Sequence, residues 1–403
     1  MQFMGSRVDG TAKNNNKNRS HSRHSRGARA ALHNLVRVLP TLSLGVAIAG
    51  CSTVEFYWQG IAGQIDVLSR AKPVQEVLET TSDATLRTRL QRMQSIREYA
   101  SHELALPDNG SFRRYADIGR SYVVWNVFAT PELSLKPRES CFPIAGCVAY
   151  RGYFAEDAAR EEAARFVAEG DDVYVGGVPA YSTLGYFDDP VLSTYIRYRE
   201  TELARLIFHE LAHQIVYVKD DTSFNESFAV SVEEEGLKRW LEAQRNRPEA
   251  AQLMEEVSGS RRLREGFRSL IRTTRARLAS VYASNAADTQ KREGKAEAFK
   301  AMRTSYEAMK TKLDGAQSFD RWFATSANNA GIAASGLYDD RVPQFAAMLA
   351  ADGGDLPRFY RHVRNLASLP KAERNRVLAA FAPATPLPTS AETATGLMVG
   401  TAN

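Results

Sequence analysis

The stretch FHELAHQ, residues 208–214, sets two imidazoles four residues apart with a carboxylate directly after the first. On a helix, His209 and His213 then stand one turn apart on one face and can reach a single metal ion. Glu210 lies roughly 100° further round the axis. That is too far for a third ligand, but it suits a carboxylate that takes a proton from a water beside the metal. Leu206, Ile207, Leu211 and Ile215 supply an apolar surround that would hold this helix in a core. The alternative is an ordinary buried helix whose histidines are satisfied by backbone or carboxylate partners. Scarcity weighs against it: from Cys51 onward the chain has only His102, His209, His213 and His362, and two of these four are here.

A catalytic zinc site takes three protein ligands and leaves one position open. Twelve residues after His213 begins NESFA, 225–229. The polar break at 219–223 leaves room only for a tight reversal, so a helix from about Phe224 to Gln244 runs back antiparallel and Glu226 on its first turn can face His213. Ser223-x-x-Glu226 also spells a capping box, in which the glutamate would bond to the helix start instead. Glu233, seven residues on, shares the face of Glu226. It could stand behind the ligands, but a Glu233-Glu234-Glu235 run reads more simply as solvated surface.

The elements that must position these groups follow from pattern. Residues 74–105 show helical periodicity. SYVVWNVFA (121–129), CVAYRGYF (147–154) and DDVYVGGV (171–178) have strand character, with a helix at 156–170 between the last two. The edge of YRGYF could accept an extended peptide. Asp189-Pro190 reads as a helix cap followed by proline at the first helical position, opening a helix that reaches about Val218. Residues 250–315 are charged and helical, a hairpin expected to be mostly solvated, and 319–350 and 355–381 are further helices. Strands and helices do not alternate regularly, so the fold class is α+β and predominantly helical. Within residues 51–382 one domain is expected. It has a small sheet at about 120–180, the site helices at about 190–244 and a helical part at 250–381. The Pro/Ala/Thr-rich segment 383–403 is expected to be a disordered tail.

The net charge of +5 belongs to the first 50 residues, which hold eight Lys/Arg and one acid. From Cys51 onward 44 Lys/Arg face 46 Asp/Glu, a balance that gives nucleic-acid binding no support. The basic segment leads into an apolar run, VLPTLSLGVAIAG (38–50), too short to span a bilayer comfortably. Residues 1–50 therefore read as a targeting leader. The other two cysteines stand in CFPIAGC (141–147), where an oxidising compartment would let Cys141 and Cys147 close a small disulfide loop. RRLREGFRSLIRTTRAR (261–277) is basic and amphipathic. It is either a solvated helix face or a segment that lies on anionic lipid.

AIAGC (47–51) resembles the bacterial lipoprotein box, which implies lipidation of Cys51. Ser52 implies the outer membrane, facing the periplasm of a bacterial envelope. The pair of motifs HExxH and NExFA resembles the gluzincin metallopeptidases. More narrowly, several pieces resemble a family of bacterial lipoproteins described as zinc aminopeptidases. These are the lipobox, CFPIAGCVAYRGYF (141–154), AYSTLGYFDDP (180–190), FHELAHQ, FNESFA (224–229) and NNA with the following YDDRVP (328–343). The likeness covers roughly 45–350. It implies a gluzincin-like core, one zinc ion held by His209, His213 and Glu226, and Glu210 as base. It also implies an oxyanion donor downstream of Glu226, for which Tyr338 and Tyr282 are candidates. Asn328-Asn329 would contact substrate or cap a helix, the cap being the simpler role. The expected function is hydrolysis of peptide or protein substrates, most simply as an aminopeptidase. The alternatives are an endopeptidase, or a zinc-containing envelope lipoprotein that binds without turnover.

Overall fold

The computed structural model describes residues 55–142, 146–336 and 341–381, so Cys51, Tyr338 and the segment from 382 lie outside the description. The chain divides into two units, 1–57 and 58–403. The second carries the fold, which is α+β and predominantly helical; of the described residues 62% are helix and 9% strand.

Helix α1 runs to residue 70. It is followed by β1 (Lys72–Pro73), α2 (Val74–Thr80), α3 (Ala84–His102) and β2 (Arg114–Ala116). Asp83 caps α3, accepting from the amides of Thr85 and Leu86. Strand β3 (Val124–Pro131) forms the middle of a three-stranded antiparallel sheet between β6 (Arg151–Tyr153) and β7 (Asp171–Val178), with Val127 opposite both Arg151 and Val175. Helix α4 (Glu156–Ala168) packs on β3 and β7. The hairpin β4–β5 (Ser140–Phe142, Gly146–Val148) carries a disulfide between Cys141 and Cys147.

Strand β8 (Val191–Leu192) joins β2 in parallel, Tyr115 opposite Val191. Here the structure departs from the helix expected from Pro190. Asp189 is buried, and its carboxylate accepts from the Thr183 amide at 2.8 Å within its own loop, while its carbonyl accepts from the Phe112 amide. It therefore closes a loop and caps nothing. Helix α5 (Glu200–His213) begins ten residues later, with Glu200 and Glu202 favourably placed at its positive end. It ends at His213, short of the expected Val218.

Helix α6 (Thr222–Ala243) runs against α5. The main core gathers around these two: Phe208 and Leu211 of α5 and Phe228 of α6 are fully buried, with Leu90 and Met93 of α3 and Phe345 and Phe359 from later helices. Gly236 permits the close approach. A Cβ there would stand 2.8 Å from both Leu104 Cδ1 and Phe208 Cδ2.

The hairpin of α7 (Ala250–Ala283) and α8 (Asp288–Lys310) has a core of its own, including Ile271, Leu278, Phe299, Met302 and Tyr306. The expectation of a mostly solvated hairpin missed this seam, because long charged stretches flank each apolar position. The following helical region is divided into α9 (Asp320–Thr325), α10 (Asn329–Gly336) and α11 (Val342–Ala351). Asn328 caps α10, its Oδ1 accepting from the Gly331 amide at 2.9 Å, and its Nδ2 donates to Val173 O of β7. Helices α12 (Leu356–Ala367) and α13 (Lys371–Ala379) close the fold.

Candidate metal centre

Helix α5 is buried nearly all round, which suits a helix through the middle of a core. His209 and His213 sit on it one turn apart, their rings nearly perpendicular. Their Nε2 atoms face each other at 3.2 Å. Glu226 Oε2 lies 3.4 Å from the first Nε2 and 3.7 Å from the second. Donor atoms about 2.0–2.2 Å from a tetrahedral zinc stand roughly 3.3–3.6 Å apart, close to the three edges of this triangle. The donor set is also chemically apt, two imidazole nitrogens and one carboxylate oxygen. The cluster is enclosed but reachable: the side chains of His209 and Glu226 keep 16% and 17% of their surface.

The reversal between α5 and α6 explains how Glu226 reaches the histidines. Asp220 adopts a left-handed backbone (φ 63°), and Asp221 caps α6 by accepting from the Phe224 amide. Asn225 clamps the turn on both sides, donating to Val218 O and accepting from Val218 N, each at 2.8 Å. Because α6 starts at Thr222, Ser223 lies inside the helix and the capping box spelled by Ser223 and Glu226 does not form. Glu226 is thereby left to point at the imidazoles. Asp221 is itself held by Arg374 at 2.7 Å and Arg341 at 3.4 Å. Gln214 fixes the other end of the motif, accepting from Asn109 at 2.7 Å and donating to Ser111 at 3.1 Å. The buried Arg97 holds that loop by bonding to the carbonyls of Pro107, Asn109 and Ser111.

Glu233 corrects the sequence reading. It is not solvated surface. It is 7% exposed, bonds to His209 Nδ1 at 3.0 Å and is ion-paired with the buried Arg205. A carboxylate in this place fixes the tautomer of a ligating histidine and raises its basicity. Arg205 stands one turn before His209 on α5, which the i, i+4 spacing alone could have flagged. Glu234 pairs with Arg268 at 3.7 Å.

The electrostatics separate the groups. Burial pulls His209 down, but bonds to Glu226 and Glu233 more than offset it, leaving this imidazole well above its ordinary value. Burial lowers His213 to about 4, and its Nδ1 is buried with no hydrogen-bond partner among the described residues. Glu226 and Glu233 are each penalised by burial yet held below the usual carboxylate range, Glu226 by the two histidines and Glu233 by His209 and Arg205. For Glu210 burial outweighs the opposing charge of His209 and, with the nearby carboxylates, pushes it up to about 7. The site thus holds two carboxylates poised as anions and one poised to exchange a proton near neutral pH.

Of the two tyrosines considered from sequence, Tyr282 donates to Asn329 Oδ1 at 2.9 Å, and burial pushes its phenol up to about 12. Tyr338 lies outside the described residues. A third tyrosine is closer in effect. The phenol of Tyr150, just before β6, is pushed up by burial first and then by the charges of Glu226, Tyr217 and Glu210.

A family model described as "Putative aminopeptidase" matches residues 55–378. No curated protein and no solved structure matches the chain.

Proposed function

The chain belongs to the family described as putative aminopeptidase, and from that premise and the triangle of donor atoms we propose that it is a zinc-dependent peptide hydrolase of gluzincin type. The observation that carries the reading is the convergence of His209, His213 and Glu226, whose ligand atoms all lie within 4.8 Å of one another, with Glu210 beside them. His209, His213 and Glu226 would hold the ion. A zinc ion supplies Lewis acidity there, which acidifies water and polarises a carbonyl. Glu210 accepts the proton from the attacking water and returns it to the leaving amine, a role suited to a carboxylate whose value lies near neutrality. Glu233 orients His209. Tyr338 and Tyr150 are the candidate donors to the developing oxyanion.

The substrate is a peptide or protein, with removal of N-terminal residues the favoured mode. The resemblance of residues 47–51 to a lipoprotein box supports a home in the bacterial envelope, with a lipid on Cys51 as the anchor to the outer membrane and the enzyme facing the periplasm.

The test is the chain from residue 52, wild type and Glu210→Gln, assayed for bound zinc and for release of N-terminal residues from a mixed peptide pool. Zinc in both, with turnover falling by about 10²–10⁴-fold in the variant, is expected. Zinc in both with no turnover in either would turn the reading toward a binding lipoprotein. No zinc in either would end it.

A further inference from the structure

The first helix, α1 (55–70), turns an apolar face outward. Trp58, Ile61 and Ile65 follow one another at spacings of three and four residues, which is one stripe of a helix. Trp58 is 68% exposed, Ile61 51% and Ile65 60%. Among the described residues these are the exposed tryptophan and both exposed isoleucines. Ala62, also exposed, lies beside them, and no charged residue falls within the stripe. Apolar residues scattered singly over a surface need no explanation, but a contiguous stripe does.

The opposite face of α1 is fixed to the fold. Val67 is fully buried in the main core. Gln59 donates to Gly152 O at 3.3 Å and accepts from the Phe154 amide at 3.0 Å. The peptide groups at this end of β6, read from sequence as an edge for an extended peptide, are therefore taken by α1. Gln64 accepts from the Tyr181 hydroxyl. Gly63 lies against the Phe154 ring, where a Cβ would stand 2.1 Å from Cγ. The helix cannot roll its apolar stripe inward without giving up these contacts. The other segment considered for lipid, 261–277, is differently engaged. Its Leu263, Phe267 and Ile271 pack into the second core, and a helix with its apolar side so occupied has none to insert.

We propose that the Trp58, Ile61 and Ile65 face of α1 rests on the phospholipid bilayer to which the chain is anchored. Position in the chain selects this occupant. Trp58 follows Cys51 by seven residues, so a lipid on Cys51 would hold it within about 25 Å of the attachment point even at full extension. A tether that short gives the bilayer an effective concentration that a partner free in solution does not match. The composition suits the contact: an indole favours the depth of the headgroups and isoleucine the acyl boundary beneath. A charge-free stripe also strips no ion of its water on entering. Because α1 is joined to β6 and to the core, the contact turns a flexible tether into a fixed mount. The proposal rests on the lipid-anchor reading of Cys51, and the measurements separate the two.

The experiment reads the depth of Trp58. The full chain, expressed with its leader in a bacterial host, is purified in detergent and reconstituted in vesicles of phosphatidylethanolamine and phosphatidylglycerol, with plain or brominated acyl chains. Bromine quenches only an indole that reaches the acyl region. The chain has four tryptophans, so the Trp58 signal is the difference between wild type and Trp58→Phe. That signal should fall by about half or more in brominated vesicles and be shielded from aqueous acrylamide. Ile61→Gln/Ile65→Gln changes two exposed positions. It should lose at least about half of the quenching while thermal unfolding stays unchanged. An unquenched Trp58 open to acrylamide overturns the proposal, as does quenching that the double replacement leaves intact. So does an unquenched Trp58 closed to acrylamide, since a second copy or another protein segment would then cover the face. Mass spectrometry of the mature N-terminus tests the anchor separately. A lipid on Cys51 with Trp58 unquenched keeps the anchor and sinks the contact, and quenching without the lipid does the reverse.

Discussion

Glu233→Gln isolates the carboxylate behind His209. The side chains of Glu233 and Arg205 are 10% and 11% exposed, so their pairing is shielded from solvent. Glutamine still accepts from His209 Nδ1, so the ring orientation survives and only the charge is lost. Losing such a partner weakens metal binding by about 10–100-fold, or roughly 1.4–2.7 kcal/mol. The same change strands Arg205, and an uncompensated buried charge costs on the order of 3–5 kcal/mol of metal-free stability. The two effects separate in Arg205→Met/Glu233→Gln, which recovers most of the stability but not the affinity. Zinc affinity is read by competition with a chromophoric chelator at neutral pH, and stability by urea unfolding in the presence of a strong chelator. An affinity within twofold of wild type in both variants would refute the reasoning, since Glu233 would then do no more than neutralise Arg205.

Three further outcomes concern the frame around the site. Burial raises Asp189 to about 6, so its contribution to stability is fully present below about pH 4 and is lost as pH rises through 6. Asp189→Asn should therefore be more stable than wild type at pH 8, by up to about 3 kcal/mol, and the gain should vanish at pH 4 in paired urea titrations. Asp221 has the opposite sign: burial opposes its ionisation, but Arg374 and Arg341 hold it below the usual range. Its contribution is present at neutral pH and lost as pH falls below about 4, so the deficit of Asp221→Asn, on the order of 3–5 kcal/mol at pH 7, should shrink in acid. Gly236→Ala should cost about 1–3 kcal/mol by forcing a methyl against Leu104 and Phe208, and thermal unfolding checks it.

Much of the local structure was legible before any fold was known. Period and cap signals marked α3, α4, β3 and β7, and Asn328 behaves as the helix cap it spells. Pattern failed where a tertiary contact overrode a local signal. Asp189-Pro190 has the chemistry of a helix start, yet β2 recruits Val191 into a parallel pair and the aspartate closes its own loop. Ser223 and Glu226 have the spacing of a capping box, yet Asp221 caps the helix two residues sooner.

The sequence by itself determined which groups share a helix face, because a fixed 3.6-residue period places His209 over His213 and sets Glu210 aside. It also set the expectation that α6 turns back, and α6 does so although the break, 214–221, is longer than the five residues read from the pattern. Only the tertiary structure decided what each carboxylate became. Glu226, Glu233 and Glu210 are the same residue type on two neighbouring helices. One faces two imidazoles, one is caught between His209 and Arg205, and one is buried where the charge of His209 only partly offsets the loss of water. Protonation depends on distance to charges brought together by folding, and linear spacing holds no record of those distances.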